Sequence, residues 1–368
     1  LEKKVTLRVA LAYVLLSLAF KANASDLDVW LENPKVLSAW SEKPLSIKFS
    51  HPAPDASRVP VILEQLFGRM SKETRSGLSV QQYGGGRVHG MKGGFKAVRG
   101  SLSDFATCYS VLESKGFEYT KTFHQPFLVD LSSLAFTKVM SEFSGSHIQG
   151  EFNRRKVHYG FSMALAPMNI MSAKPIRTLE DLKGTKVATI GVPPSIADSL
   201  GFNAVSIPFP ELYTSLQQGV VDGVLWSDMG FVPFKIYEQA KFYTEINLYM
   251  PTLDVCVNRN FYKSLSAVQQ STFDKYLSLS PLILAARQDQ FIATTETLYK
   301  EHEVQRIQLS KDEKKRWMDA IESNRADWFN ACADRGKDCK SLTNDIQVMA
   351  EKYQDYDVSK LMDEIKDL

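Results

Sequence analysis

The stretch from Gly85 to Lys92 is the first place to look for chemistry, because glycines followed by a lysine can cradle a phosphate. Such a loop needs the lysine directly after its glycine and a hydroxyl directly after the lysine. Here Met91 separates Gly90 from Lys92 and Gly93 follows, so the pattern fails. Gly160-Phe-Ser-Met-Ala164 comes near the strained turn that presents a nucleophilic serine, but it ends in alanine and no ordered acid and base follow. The six histidines, with His51, His89 and His124 among them, show no H-E-x-x-H or other paired metal spacing. They read as turn or surface residues. No pair of carboxylates is set apart for acid–base work. The expectation is a protein that is not an enzyme and needs neither metal nor cofactor.

Cys332 and Cys339 lie close together in the polar run Cys-Ala-Asp-Arg-Gly-Lys-Asp-Cys, where a local disulfide is expected in an oxidising compartment. Cys108 and Cys256 sit inside apolar runs and read as buried thiols. The compartment is suggested by the start of the chain. Lys3, Lys4 and Arg8 precede an apolar run from Val9 to Phe20, and Ala22-Asn23-Ala24 follows with small residues. That order predicts a cleavable secretory signal over residues 1–24 and a periplasmic protein starting near Ser25. The apolar run is about half of what a spanning helix needs. The net charge of +2 includes +3 from residues 1–24, which leaves −1 for the rest. Nothing in that balance argues for nucleic acid or an anionic membrane surface.

The elements that would position a site follow from periodicity. Residues 25–44 read as a loose leader. Alternation predicts strands at 45–51, 77–83 and 104–109, with helical spacing from Val59 to Met70 and through Phe95–Val98. Strand, helix and strand repeat around 156–172, 186–190, 204–208 and 253–258, with helices near Ser195–Leu200 and Glu211–Gln218. This is α/β architecture with mainly parallel sheets, in a chain long enough for two lobes. A long helix is expected from Pro281 to about Ile307, able to brace both lobes. The tail 311–368 is charged and helical, with Trp317 and Trp328 as docking anchors.

The middle of the chain carries a more specific pattern. Pro175-Ile-Arg-Thr-Leu-Glu-Asp-Leu-Lys-Gly184-Thr-Lys186-Val is followed by Ile207-Pro-Phe-Pro-Glu211-Leu-Tyr213 and then Gln-Gln-Gly219-Val-Val-Asp222-Gly223. Tyr237-Glu238 and Val257-Asn258 come next in the same order. Over about residues 45–310 this series resembles the solute-binding proteins of TRAP (tripartite ATP-independent periplasmic) transporters, of the dicarboxylate-receptor type. The resemblance implies a two-lobed periplasmic binding protein fold with crossing hinge strands and a long lobe-spanning helix. Residues 45–165 and 254–282 would form lobe one, and 166–253 and 283–310 lobe two, with 311–368 as a helical extension. It also implies a small organic ligand and TRAP membrane permease subunits as partners.

The family's carboxylate-holding arginine falls here on Ala188, a second arginine of some members on Met168, and a ligand-facing asparagine on Trp226. Phe209 keeps an aromatic. A guanidinium forks onto a carboxylate with two charge-assisted bonds that neither Ala nor Met supplies. The expected cleft is therefore less cationic and more aromatic, with Phe209, Trp226, Met168, Tyr109 and Phe161. Three ligand classes stay open: a neutral or apolar-bodied molecule, an organic cation paired with Asp228 or Asp254, and a carboxylate met by Arg87. A sensor of the same fold that docks a signalling protein is the alternative to a transport receptor.

Overall fold

The computed structural model describes residues 25–189 and 192–368; the expected signal segment, 1–24, lies outside them. Its strands are β1 (Leu45–Ser50), β2 (Leu78–Tyr83), β3 (Phe105–Thr107), β4 (His158–Ala164), β5 (Asn169–Ser172) and β6 (Lys186–Thr189). β7 (Asn203–Val205), β8 (Gly223–Trp226), β9 (Phe242–Glu245), β10 (Thr252–Val257) and β11 (Gln305–Gln308) follow. They form two sheets, ordered β2-β1-β3-β10-β4 in lobe one and β11-β9-β5-β8-β6-β7 in lobe two.

The sheets are mainly parallel, as expected, with one reversed strand in each. In lobe one β10 runs antiparallel to both neighbours, and in lobe two β5 does the same. Both strands enter from the other lobe, so each arrives against the direction of the strands already there. The two connections pair with each other. Leu165 donates to Pro251 O at 2.7 Å, Met168 to Tyr249 O at 2.9 Å and Leu248 to Met168 O at 3.0 Å. Two adjacent crossing segments with these bonds make a short ribbon between the lobes.

Side-chain alternation sorts the cores. Along β10, Leu253, Val255 and Val257 face one core with Phe49 and Phe105, while Cys256 faces a second with Phe136 and Phe152. In lobe two, Ile170, Val187 and Leu225 face one side, and Met171, Ala188 and Val224 the other.

The long helix spans Ala267–Glu301, 35 residues and about 52 Å at 1.5 Å per residue. It begins earlier than expected. A capping box between Ser266 and Gln269 starts it, and Pro281 lies inside it. The expected end at Ile307 is also displaced, because that residue belongs to β11. The helix packs on β4 and on the helices Arg58–Glu73 and Ser133–Phe143 of lobe one, then on Asp228–Phe231 of lobe two.

Residues 25–32 are not a loose leader. Ser25 and Asp28 cap the helix Asp26–Glu32, whose Leu27, Trp30 and Leu31 are buried. Trp30 Nε1 donates to Ile365 O at 2.9 Å. The C-terminal helices also pack on the body: Trp317 in lobe two, Leu342 and Ile346 in lobe one, and Leu361 and Ile365 beside Trp30.

Cys332 is bonded to Cys339. Cys108 and Cys256 are bonded as well, which corrects their reading as free thiols. They lie 148 residues apart in sequence, and β3–β10 pairing brings them together. No described helix is long and apolar enough to cross a membrane.

Candidate ligand-binding site

In open α/β sheets ligands bind beyond the carboxyl ends of the strands, where the next helices begin. β1 and β3 run parallel and end at Ser50 and Thr107, so His51 and Tyr109 leave neighbouring strand ends. The helix Arg58–Glu73 starts at the same edge, and His51, Arg58, Thr107 and Tyr109 share one cleft of about 880 Å³. Lobe two contributes Met229, Pro233 and Phe234, and the long helix contributes Arg287 and Phe291. The size suits a small organic molecule.

Among the described residues Asp28, Arg58 and Arg287 are the wall's aspartate and arginines. Arg287 forms an ion pair with Asp28 and donates to Gln290 Oε1 at 3.1 Å. Burial would raise the Asp28 pKa, but hydrogen bonds from Arg287 and Ser25 outweigh it and hold it below the usual carboxylate range. Arg58 has no ion pair or hydrogen bond among the described residues. Its guanidinium carbon sits 3.7 Å from the centre of the Phe291 ring. Burial lowers the Arg58 pKa, yet a guanidinium remains charged at any physiological pH. Just outside the wall, Asp55 is neutralised by Arg87 at 2.7 Å. One positive charge is left over.

The helix that carries Arg58 begins without a side-chain cap. The Ser57 hydroxyl instead donates to Pro54 O at 2.6 Å. Two buried polar atoms in the wall also lack hydrogen-bond partners: His51 Nε2 and Thr107 Oγ1. Burial depresses the His51 pKa, which keeps the ring neutral. Burial pushes the Tyr109 phenol up to about 12. The Thr107 hydroxyl offsets a little of that rise without hydrogen-bond geometry.

Of the residues singled out in the sequence, Tyr109 lies in the wall. The side chain of Phe209 lies outside those described. Trp226 stands one ring further back, tilted against the wall residue Phe234 with centroids 5.5 Å apart. Met168, Phe161 and Ala188 are buried in the cores of the two lobes. Ala188 is flanked on β6 by Val205 and Val224. Arg87 is exposed and held by Asp55. Asp228 accepts from Tyr243 at 2.8 Å and Tyr299 at 2.7 Å, both phenols. Asp254 is fully buried and accepts from Ser110 Oγ at 2.5 Å and Ser162 Oγ at 2.6 Å. Burial raises its pKa. Both carboxylates belong to the packing of the lobes rather than to the cleft wall. No described group of three or more His, Cys, Asp or Glu could hold a metal.

Residues 49–331 match the family model described as bacterial extracellular solute-binding protein, family 7. The chain belongs to this family. A TRAP periplasmic solute-binding protein from Desulfovibrio salexigens has the same fold, with a TM-score of 0.78 at 23% identity, covering 84% of this chain and 97% of that one. A marine-metagenome TRAP solute-binding protein specific for aromatic acid ligands, solved with 3-hydroxybenzoate, aligns with a TM-score of 0.74 at 21% identity over 85% of this chain and 99% of that one. The 2,3-diketo-L-gulonate-binding periplasmic protein YiaO of Escherichia coli is 32% identical over 103 residues, 26% of this chain and 30% of that protein. The match to such curated relatives thus spans under a third of their length.

For a solute-binding protein of this family, the wall residues absent from the sequence reading are Arg58, Phe234, Arg287 and Phe291, while His51, read there as a turn or surface residue, is buried in the wall. Spacing did not set Arg58 or Phe291 apart: Arg58 falls four residues before buried Ile62, and Phe291 falls between buried Gln288 and Thr295, so both read as extensions of a core-facing row.

Proposed function

We propose that this chain is a TRAP-type receptor that captures one small organic molecule between its lobes and delivers it to a membrane permease. The observation that carries this reading is the cleft itself. Both lobes and the helix bracing them contribute to its wall, so one bound molecule can touch all three. Ligand contacts to both lobes bias an open–closed equilibrium, and a ribbon of two crossing segments is the natural place for the chain to bend. Phe234, Phe291 and Met229 favour a flat or apolar body. The aromatic-acid specificity of the marine-metagenome protein points the same way.

An organic cation fits less well, because Asp228 and Asp254 are already engaged by tyrosine and serine hydroxyls. The sensor alternative rested on residues 311–368 serving a separate partner. Their main apolar side chains, Trp317, Leu342, Ile346 and Leu361, pack within this chain.

The test is a thermal-shift screen of acids, amines and neutral polyols, followed by small-angle scattering with the best ligand. A molecule that binds only the folded protein raises its melting point. Delivery after capture predicts a smaller radius of gyration with ligand bound. An unchanged radius at saturation with a tight ligand overturns the closing receptor.

A further inference from the structure

We propose that the start of the helix Arg58–Glu73 is an anion seat, with Arg58 as its charge, that takes the carboxylate of a flat, apolar-bodied monocarboxylate. The proposal rests on the reading of the cleft as the solute site. It moves the charged anchor from the sheet of lobe two, where Ala188 is sealed in the core, to a helix start in lobe one.

Three independent observations converge there. The first is charge. Asp28 and Arg287 cancel, Asp55 and Arg87 cancel, and Arg58 is left with a solvent-accessible guanidinium stacked on Phe291. Stacking holds the guanidinium plane without using its N–H donors, which leaves the fork free for a carboxylate.

The second is the helix start. A 16-residue helix ends in uncapped amides, and an anion is stabilised at such a terminus by both the free N–H groups and the dipole. Among the described residues the amides of Arg58 and Val59 find no acceptor, and the hydroxyl of Ser57 is turned to Pro54.

The third is the neighbouring wall. His51 and Thr107 are each 2% exposed, and His51 Nε2 and Thr107 Oγ1 lack partners. Asp55 Oδ1 stands 3.9 Å from that nitrogen, beyond hydrogen-bond range. The neutral His51 ring donates from Nδ1 to Ala53 O at 3.0 Å, so Nε2 is an acceptor suited to a ligand hydroxyl such as that of mandelate, whereas the Thr107 hydroxyl can donate to the carboxylate and so lose the cost of an unmade bond. A single surplus charge matches one carboxylate rather than two.

The experiment is calorimetric titration of the protein with benzoate and mandelate and with their uncharged amides, benzamide and mandelamide. Four proteins are compared: wild type, Arg58→Ala, Arg58→Lys and Val61→Trp. Val61 lines the cleft from an exposed helix position, so tryptophan there fills the cavity without entering the core. Circular dichroism and the unliganded melting point check folding. At least one acid should bind wild type, with its amide ~30-fold weaker, as expected for a charge-assisted bond. Arg58→Ala should weaken the acid ~30-fold and leave the amide unchanged, and Arg58→Lys should recover part of the loss. Val61→Trp should weaken acid and amide together. If Arg58→Ala binds the acid as wild type does while Val61→Trp abolishes binding, the cleft stands and the anchor is wrong. If Val61→Trp changes nothing, the cleft is not the site. Binding of amides alone, or of none of the acids, overturns the anion seat.

Discussion

Replacing Asp228 with alanine separates a packing carboxylate from a ligand-holding one. The Tyr299 phenol, on the long helix, donates to Asp228 at 2.7 Å, and the Tyr243 phenol, on β9, donates at 2.8 Å. Tyr243 also accepts from Asn169 Nδ2 at 2.9 Å, so it keeps one partner when the carboxylate is removed. Tyr299 does not. Hydrogen bonds to a charged group contribute roughly 1.5–3 kcal/mol each, and an orphaned buried hydroxyl costs about 1–3 kcal/mol. Taking the lower end for Tyr243 and the middle for Tyr299 gives a loss of about 3–4 kcal/mol for Asp228→Ala. Tyr299→Phe alone should cost about 1.5 kcal/mol, and almost nothing in the Asp228→Ala background, because the partner is already gone. Urea denaturation without ligand measures all three, and the double-mutant cycle isolates the pair. An Asp228→Ala protein whose unliganded stability stays within about 0.5 kcal/mol of wild type, yet no longer binds ligand, would refute the packing role and return Asp228 to the site.

Three further outcomes follow from the same physics. His124 is held neutral, its pKa lowered to about 4 by burial and then by Lys121. Its folded pKa lies below the unfolded value, so its contribution is full above about pH 6.5 and is lost as pH falls toward 4. Between pH 7 and 4 this costs about 3 kcal/mol, and His124→Gln should flatten that part of the stability curve relative to wild type. Serine at both Cys108 and Cys256 opens the longer loop and should cost up to about 5 kcal/mol in the chain-entropy picture, against about 2.5 for Cys332 with Cys339; denaturation midpoints in the wrong order would reject this. Trp317→Ala removes a fully buried ring and its 3.0 Å bond to Glu313, with an expected loss of about 4 kcal/mol by calorimetric melting.

Much of the fold was legible because alternation is a local signal. The strands and the two faces of each sheet follow from residues such as Leu253, Val255 and Val257 against Cys256. The long helix was misplaced because Pro281 looks like a first-turn proline, while the true start, Ser266 with Gln269, is a short polar signal in an unremarkable stretch. The disulfide between Cys108 and Cys256 was hidden because no spacing rule reaches across 148 residues; only strand pairing joins them. The site was the least legible part. Its wall draws on β1, β3, three helices and lobe two, and the residues that an ordered motif drew attention to, Ala188 and Met168, are core. A motif marks where a chain turns; which face a side chain takes is set by the sheet register.

Moving the anchor to lobe one also changes the order of events on binding. With the guanidinium and the helix start on the same lobe, the carboxylate can be captured by the open molecule before lobe two arrives. Lobe two then contributes Met229, Pro233 and Phe234, which carry no charge and act over short distances. Salt should therefore weaken the encounter with an acid, since charge attraction steers approach and is screened. It should leave closure nearly untouched, because that step buries apolar surface. Stopped-flow fluorescence resolves the two phases: the association rate should fall with ionic strength while the slower closing rate holds constant. A closing rate that falls in parallel with association would mean that lobe two meets the charge as well, and the anchor would then span the cleft.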